Sequence, residues 1–210
     1  MLDVGEATDD SVDSVPPVVG EDFSDAVFAN EVWEDCAFER CSFVDADLRG
    51  LVTKNCTFVA CDFTGADLSE SKHRITAFRQ CTFRRADLSE SELRGCSLMG
   101  SQFGDCRLRQ WQLHDTDLTL VGLSGADLKD SSLSGLRMRE ANLNESDLRG
   151  ADLTKCDLTG ARMLDAKLAD ADLRGAKLGA DILVQADLRG TKVDLEIAVS
   201  FAAAHGLVIE

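Results

Sequence analysis

The side chains with chemical potential in this 210-residue chain are eight cysteines, three histidines and a surplus of carboxylates. Cysteines at CxxC spacing would bind zinc or exchange disulfides, and histidines beside carboxylates would bind metal or move protons. The spacing supports neither. Cys36, Cys41, Cys56, Cys61, Cys81, Cys96, Cys106 and Cys156 all stand at multiples of five from one another, and no CxxC pair exists. Eight cysteines in one slot of a five-residue period mark a demand for a small buried side chain. Disulfides would need paired geometry and an oxidising compartment. There is no P-loop, dinucleotide fingerprint or nucleophile motif. The sequence therefore points away from an enzyme and calls for no cofactor or metal.

The period that fixes the cysteines runs through most of the chain. From Phe23, each fifth residue (Phe28, Trp33, Phe38, Phe43, Leu48 and onward to Val193) is Phe, Leu, Met, Trp or Val, except Thr53 and His73. An α-helix turns about 100° per residue, so a step of five leaves no stripe. On a flat strand an odd step flips faces. The pattern needs a corner in every unit, so that each apolar residue points at one axis. The residue two before it faces the same way and is mostly Cys, Ala, Ser or Thr, with Trp111 and Leu136 among the exceptions. Ten glycines, Gly50 and Gly150 among them, close a unit where a corner can use positive φ. Both prolines, Pro16 and Pro17, precede the repeat.

In this frame His73 is inward, His114 is outward two coils later, and His205 lies in the C-terminal segment. They make no constellation. Thr53 and His73 share a column on adjacent coils and read as a local defect, a hydrogen-bonded polar pair or a bulge, with a functional site the lesser alternative. Phe23, Phe43, Phe63, Phe83 and Phe103 form one column and Phe38, Phe58 and Phe78 another, read as packing rather than a ligand site.

The runs DLRGADLTKCDLTGARM and CDFTGADLSES resemble the A-(D/N)-L-x-x signature of pentapeptide-repeat proteins. The resemblance implies an all-β, right-handed quadrilateral β-helix. Its four units per coil make nearly nine coils, about 40 Å long at roughly 4.8 Å per coil. Residues twenty apart then stack. ESKHRITAFRQCTF, CRLRQWQLHDTDLTLVGL and VDLEIAVSFAAAHGL resemble the MfpA branch of the gyrase-interacting members, and more distantly the Qnr proteins. That resemblance implies mimicry of duplex DNA: a rod whose carboxylates occupy the DNA-binding surface of DNA gyrase, modulating or inhibiting it and protecting it from fluoroquinolones. The columns that would do so are Asp47, Asp67, Asp87, Asp127, Asp147 and Asp187, interrupted by Arg107 and Lys167. Asp152 and Asp172 belong to a neighbouring row, and Asp117 and Asp157 to a third. Aspartate is also the favoured repeat residue, so the competing reading is a passive acidic scaffold for another basic protein.

Charge agrees with either reading. With 38 acidic and 22 basic residues the formal charge is −16, which argues against direct nucleic-acid binding and favours a basic partner. The chain divides into an acidic, disordered tail (1–20), the repeat (21–193), and a C-terminal helix and tail (194–210). The start lacks the apolar core of a signal peptide, and no apolar run approaches the roughly 20 residues of a membrane span. A cytoplasmic protein is expected. Asp194 is placed to cap a helix that Gly206 stops. That helix is apolar around much of its circumference. One face covers the end of the coil, while Leu195, Ala198, Val199, Phe201, Ala202 and Leu207 suggest a homodimer through this end, against a cap alone.

Overall fold

The computed structural model describes residues 16–179, 182, 184 and 186–208. They form a parallel β-solenoid closed by one helix. Nine short strands run in chain order: β1 (Val18–Val19), β2 (Val32–Glu34), β3 (Ala37–Glu39), β4 (Val52–Lys54), β5 (Thr57–Val59), β6 (Lys72–Arg74), β7 (Ala77–Arg79), β8 (Glu92–Arg94) and β9 (Gln112–His114). They make two parallel sheets, β1-β3-β5-β7 and β2-β4-β6-β8-β9. Every pairing steps by twenty, as in Phe38↔Phe58 and Thr53↔His73, so four five-residue units make one turn. Three-residue strands build about five turns of this solenoid, and single bridges carry the same step on to Asp172↔Lys192. Pairing begins at Val18↔Phe38, within the stretch expected to be tail. The rest of that tail, residues 1–15, lies outside the described residues.

The corner forms at the fifth residue of each unit, which is left-handed whether or not it is glycine. Gly150 has φ 69°, but Asp130 has φ 55° and Ile75 φ 50°. Glycine at this slot also makes room. A Cβ added at Gly150 would collide with Asp130 Oδ1 on the preceding coil. Aspartate just before the apolar residue helps to close the unit. Asp67 accepts from the Ser69 amide at 3.0 Å and its hydroxyl at 2.6 Å, an Asx-type turn.

Inside, the phenylalanine columns stack face to face, with centroids 4.9 Å apart for Phe43–Phe63 and 4.8 Å for Phe58–Phe78. The cysteines are free thiols in the small inward slot, six of them buried and Cys36 and Cys106 half-buried. Burial pushes Cys156 up to about 11 and Cys106 up to about 12, so they pack as small apolar groups rather than as thiolates. The Thr53 and His73 defect is a polar pair in register, not a bulge. Thr53 Oγ1 lies 2.7 Å from His73 Nδ1 and 2.8 Å from Thr76 Oγ1, and His73 Nε2 lies 2.9 Å from Ser71 Oγ.

Oversized residues in the small slot behave differently, as Leu136 and Trp111 show. Leu136 is accommodated, and the bridges Asp117↔Arg137↔Asp157 pass it unbroken. Trp111 is not. Beside it the bridges Asp87↔Arg107 and Asp127↔Asp147 are made, but none joins Arg107 to Asp127 or Gln112 to Ser132. An indole in a slot shaped for Ser or Ala holds the two coils apart on two adjacent faces, while Phe103 N→Gly122 O (2.8 Å) and Leu118 N→Arg137 O (2.7 Å) keep the other faces closed. Trp111 Nε1 and His114 Nε2 are buried here without a hydrogen-bond partner among the described residues. His114, expected to face outward, is thus half-buried.

At the C-terminal end α1 (Leu195–Ala204) is capped by Asp194, whose Oδ1 accepts from Ile197 N at 3.0 Å. Its Oδ2 accepts from Gly175 N at 2.7 Å, tying the cap to the coil below. Gly206, at φ 80°, ends the helix. Ile197 is buried and Phe201 packs on the core.

Candidate functional site

The column expected to carry the acidic face forms as a ladder of bridges, Val27↔Asp47↔Asp67↔Asp87↔Arg107 and then Asp127↔Asp147↔Lys167↔Asp187. Each carboxylate points outward because its neighbour is the inward apolar residue. Asp152↔Asp172 continue a second row, and Asp117 and Asp157 flank Arg137 in a third. The ten aspartates therefore lie on three faces of the rod, with the first column the most acidic.

Eight of the ten are ion-paired, Asp67 the most loosely. Asp47, Asp147, Asp172 and Asp187 each bind the arginine two residues on, Asp47 to Arg49 at 2.6 Å and Asp172 to Arg174 at 2.7 Å. Asp87 pairs with Arg107 at 3.3 Å, Asp117 with Arg137 at 3.4 Å and Asp157 with Arg139 at 3.2 Å. Hydrogen bonds from Arg174 hold the Asp172 carboxyl down at about 2, and those from Arg49 and Arg149 lower Asp47 and Asp147. These groups stay ionised at neutral pH, but a cation beside each cancels much of its outward field. Asp67 has Arg49 only at 3.9 Å. Asp127 and Asp152 make no ion pair among the described residues; Asp152 is held by Thr154 (2.9 and 2.7 Å) and Asp127 accepts only the Lys129 amide.

Uncompensated charge lies one step around the corner. Glu70, Glu90, Asp130 and Asp170 are exposed, occupy left-handed corner positions, and form no salt bridge among the described residues. They belong to one column, and they close the units that contain Asp67, Asp87, Asp127 and Lys167 respectively. Asp170 thus keeps a carboxylate near the place where Lys167 interrupts the acidic row. The sequence signal for this ridge is an acid where glycine otherwise closes the unit. The signal for the pairing is the repeated D-L-R-G, in which Asp and Arg two apart share a face.

At the helical end, Leu195 is 79% exposed and Val199 and Leu207 are exposed, one helical turn separating the first two. Ala198 is exposed as well. Phe201 and Ala202, expected at a dimer surface, are half-buried, with Phe201 turned toward the coil. Its packing there follows from the open end of the aliphatic core beneath it. No group of three or more His, Cys, Asp or Glu side chains is placed to hold a metal ion among the described residues. No helix there is long and apolar enough to cross a membrane.

Two family models match the sequence across the solenoid. A model described as pentapeptide repeat region matches residues 32–101, and one described as pentapeptide repeats (8 copies) matches residues 96–135, 122–160 and 141–180. No curated protein matches the chain. Among solved structures, a trypsin-treated variant of QnrB1, a plasmid-mediated fluoroquinolone resistance protein, superposes with a TM-score of 0.81 at 24% identity, covering 92% of this chain and 97% of that one. Full-length QnrB1 gives 0.81 at 23% identity over 91% and 97%. At that identity the likeness establishes the fold.

Proposed function

From the premise that the chain belongs to the pentapeptide-repeat family, we propose that it binds DNA gyrase as a mimic of duplex DNA, modulating or inhibiting the enzyme and protecting it from fluoroquinolones. The observation that carries this reading is the in-register acidic column with its corner ridge, on a rod with the fold of a fluoroquinolone resistance protein. Unpaired carboxylates at Asp127 and Asp152 and the loosely paired Asp67, with Glu70, Glu90, Asp130 and Asp170, stand in for phosphates, while the closely arginine-paired aspartates serve mainly to close corners. A coil pitch near 4.8 Å gives a charge array that is fixed before binding, so little ordering cost is added on association. The rod acts in the cytoplasm as a homodimer joined through Leu195, Ala198 and Val199, needs no cofactor, and performs no chemistry of its own. Displacement of DNA from drug-trapped enzyme accounts for protection.

A second reading has its own support. The ion-paired aspartates fit a scaffold whose Asp is chosen for folding, and whose acidic surface binds some other basic protein. Supercoiling and drug-stabilised cleavage by purified gyrase, titrated with this protein and with competing mixed-sequence duplex, separate the two. Suppression of cleavage that duplex relieves supports the mimic. No effect over a wide concentration range leaves the scaffold.

A further inference from the structure

We propose that the basic corner around Ile75 is a docking surface for an acidic, extended segment of a partner protein. The inference is independent of whether gyrase is the target of the acidic column. Lys54, Arg74 and Arg94 pair in register on β4, β6 and β8, so three cations stack at the coil pitch on a protein whose net charge is −16. Lys72 projects from the same strand as Arg74, and Arg79 from β7 beyond the corner; all five side chains are exposed. Glu34 counters Lys54 at 3.7 Å and Glu92 counters Arg94. Lys72, Arg74 and Arg79 make no ion pair among the described residues. His73 beneath them is buried and neutral, so the field comes from the outward side chains.

Ile75 supplies the second observation. It is 67% exposed and left-handed at φ 50°, a conformation that a β-branched residue adopts only under strain. Glycine fills the same slot one coil on. A Cβ at Gly95 would still stand 4.0 Å from Ile75 Cγ1, so the corner has room above it. Arg74, Ile75, Glu92, Arg94 and Gly95 line a shallow concavity of about 680 Å³. An exposed aliphatic side chain flanked by two arginines, with Glu92 at the edge, matches the arginine-rich composition of protein–protein interfaces.

Charge complementarity sets the occupant. The stripe from Lys54 to Arg94 spans two coil steps, roughly 10 Å, the length of three or four extended residues. A duplex carries about one charge per 1.7 Å of its length and would overrun the stripe, onto Glu34 at one end and onto His114, Ser134 and Thr154 at the other, which do not continue the stripe of Lys and Arg. Its outer edge also presents phosphates, not apolar groups, to Ile75. An acidic segment with an aliphatic residue among its carboxylates answers both features.

The test is fluorescence anisotropy of a labelled decapeptide of alternating Glu and Leu, titrated with the full chain. Arg74→Glu with Arg94→Glu is expected to weaken binding at least tenfold, and Arg149→Glu, on a distant coil, to change it less than twofold. Ile75→Gly places the common corner residue in a left-handed slot, so it folds at least as stably, and it is expected to weaken binding severalfold. Equal binding to the Arg74/Arg94 variant overturns the proposal. So does tighter binding of a 12-base-pair duplex through the same arginines. A tenfold gain in peptide affinity on converting Asp9, Asp10 and Asp13 to Asn also overturns it, by giving the stripe to this chain's own acidic segment.

Discussion

Arg107 and Asp127 stand one coil apart in a single column, and theirs is the one step between Val27 and Asp187 that no β-bridge joins. The cause lies in the adjacent unit, where Trp111 fills the small inward slot. With Trp111→Ser the ladder is expected to close. Hydrogen exchange at the amides of Leu108, Gln110, Leu113 and Asp115, fast in the parent, should slow in the variant. Each recovered bond contributes about 1 kcal/mol and offsets the ~3–5 kcal/mol usually lost on truncating a core tryptophan. Unfolding should show a net change under ~2 kcal/mol. Fast exchange persisting in the variant would remove Trp111 as the cause.

His73 should make the rod sensitive to mild acid. Burial lowers its pKa from 6.5 to about 3 in the folded chain, so between those values the unfolded chain binds more protons. Stability is then full above about pH 6.5 and falls as pH drops toward 3, by on the order of a few kcal/mol in all. The lowered aspartates act in the same direction but only below their ordinary value of 3.8. Urea unfolding at about pH 7.5, 6.5 and 5.5 isolates the histidine, because Glu92, also lowered, acts only near and below its ordinary value of 4.5. His73→Leu should flatten that profile while costing about 1 kcal/mol at neutral pH, because the Ser71 hydroxyl loses its partner.

If the acidic column meets a basic saddle, removing the cation beside a carboxylate should help and neutralising a bare one should hurt. Arg149→Gln uncovers Asp147 and is expected to strengthen gyrase inhibition about two- to fivefold. Asp127→Asn should weaken it by a similar factor, since a single surface charge is worth up to about 1 kcal/mol. Inhibition constants at two salt concentrations measure both effects. A weaker inhibitor from Arg149→Gln would contradict mimicry.

The helix carries two separable roles. Leu195→Glu with Val199→Glu, both on exposed positions, should convert a dimer to a monomer by light scattering while leaving the melting temperature within a few degrees. Ile197→Ala removes the buried anchor instead. It should cost about 2–4 kcal/mol in unfolding experiments. A chain already monomeric at about 100 µM, before any substitution, ends the dimer proposal.

Much of this is legible in the sequence. The slot shared by all eight cysteines marked a buried position, and the Asp194 and Gly206 signals bracketed the helix that forms. The Thr53–His73 pair was visible as an anomaly, though not which of its alternatives it would be. Less visible was the fate of the aspartates. Asp147 and Asp127 look alike in the repeat, yet Arg149 neutralises the first, whereas the second has only the Lys129 amide. Phe201 was legible as apolar, but not as packed inward, because the helix's rotation depends on the coil end it covers.

By itself the sequence determined that a corner recurs every five residues, since no straight element sends every fifth side chain to one axis. It also determined what fills the interior, because the apolar residue keeps its register throughout and the residue two before it is mostly small. The number of corners per turn is not contained in a period of five. Only the step of twenty between paired residues, as in Thr53↔His73, decides it. That step stacks Lys54 on Arg74 and Arg94, and it puts Trp111 under Ser131 with too little space for an indole. These relationships are between side chains twenty residues apart, so they exist only once closure of the coil has set which units are neighbours.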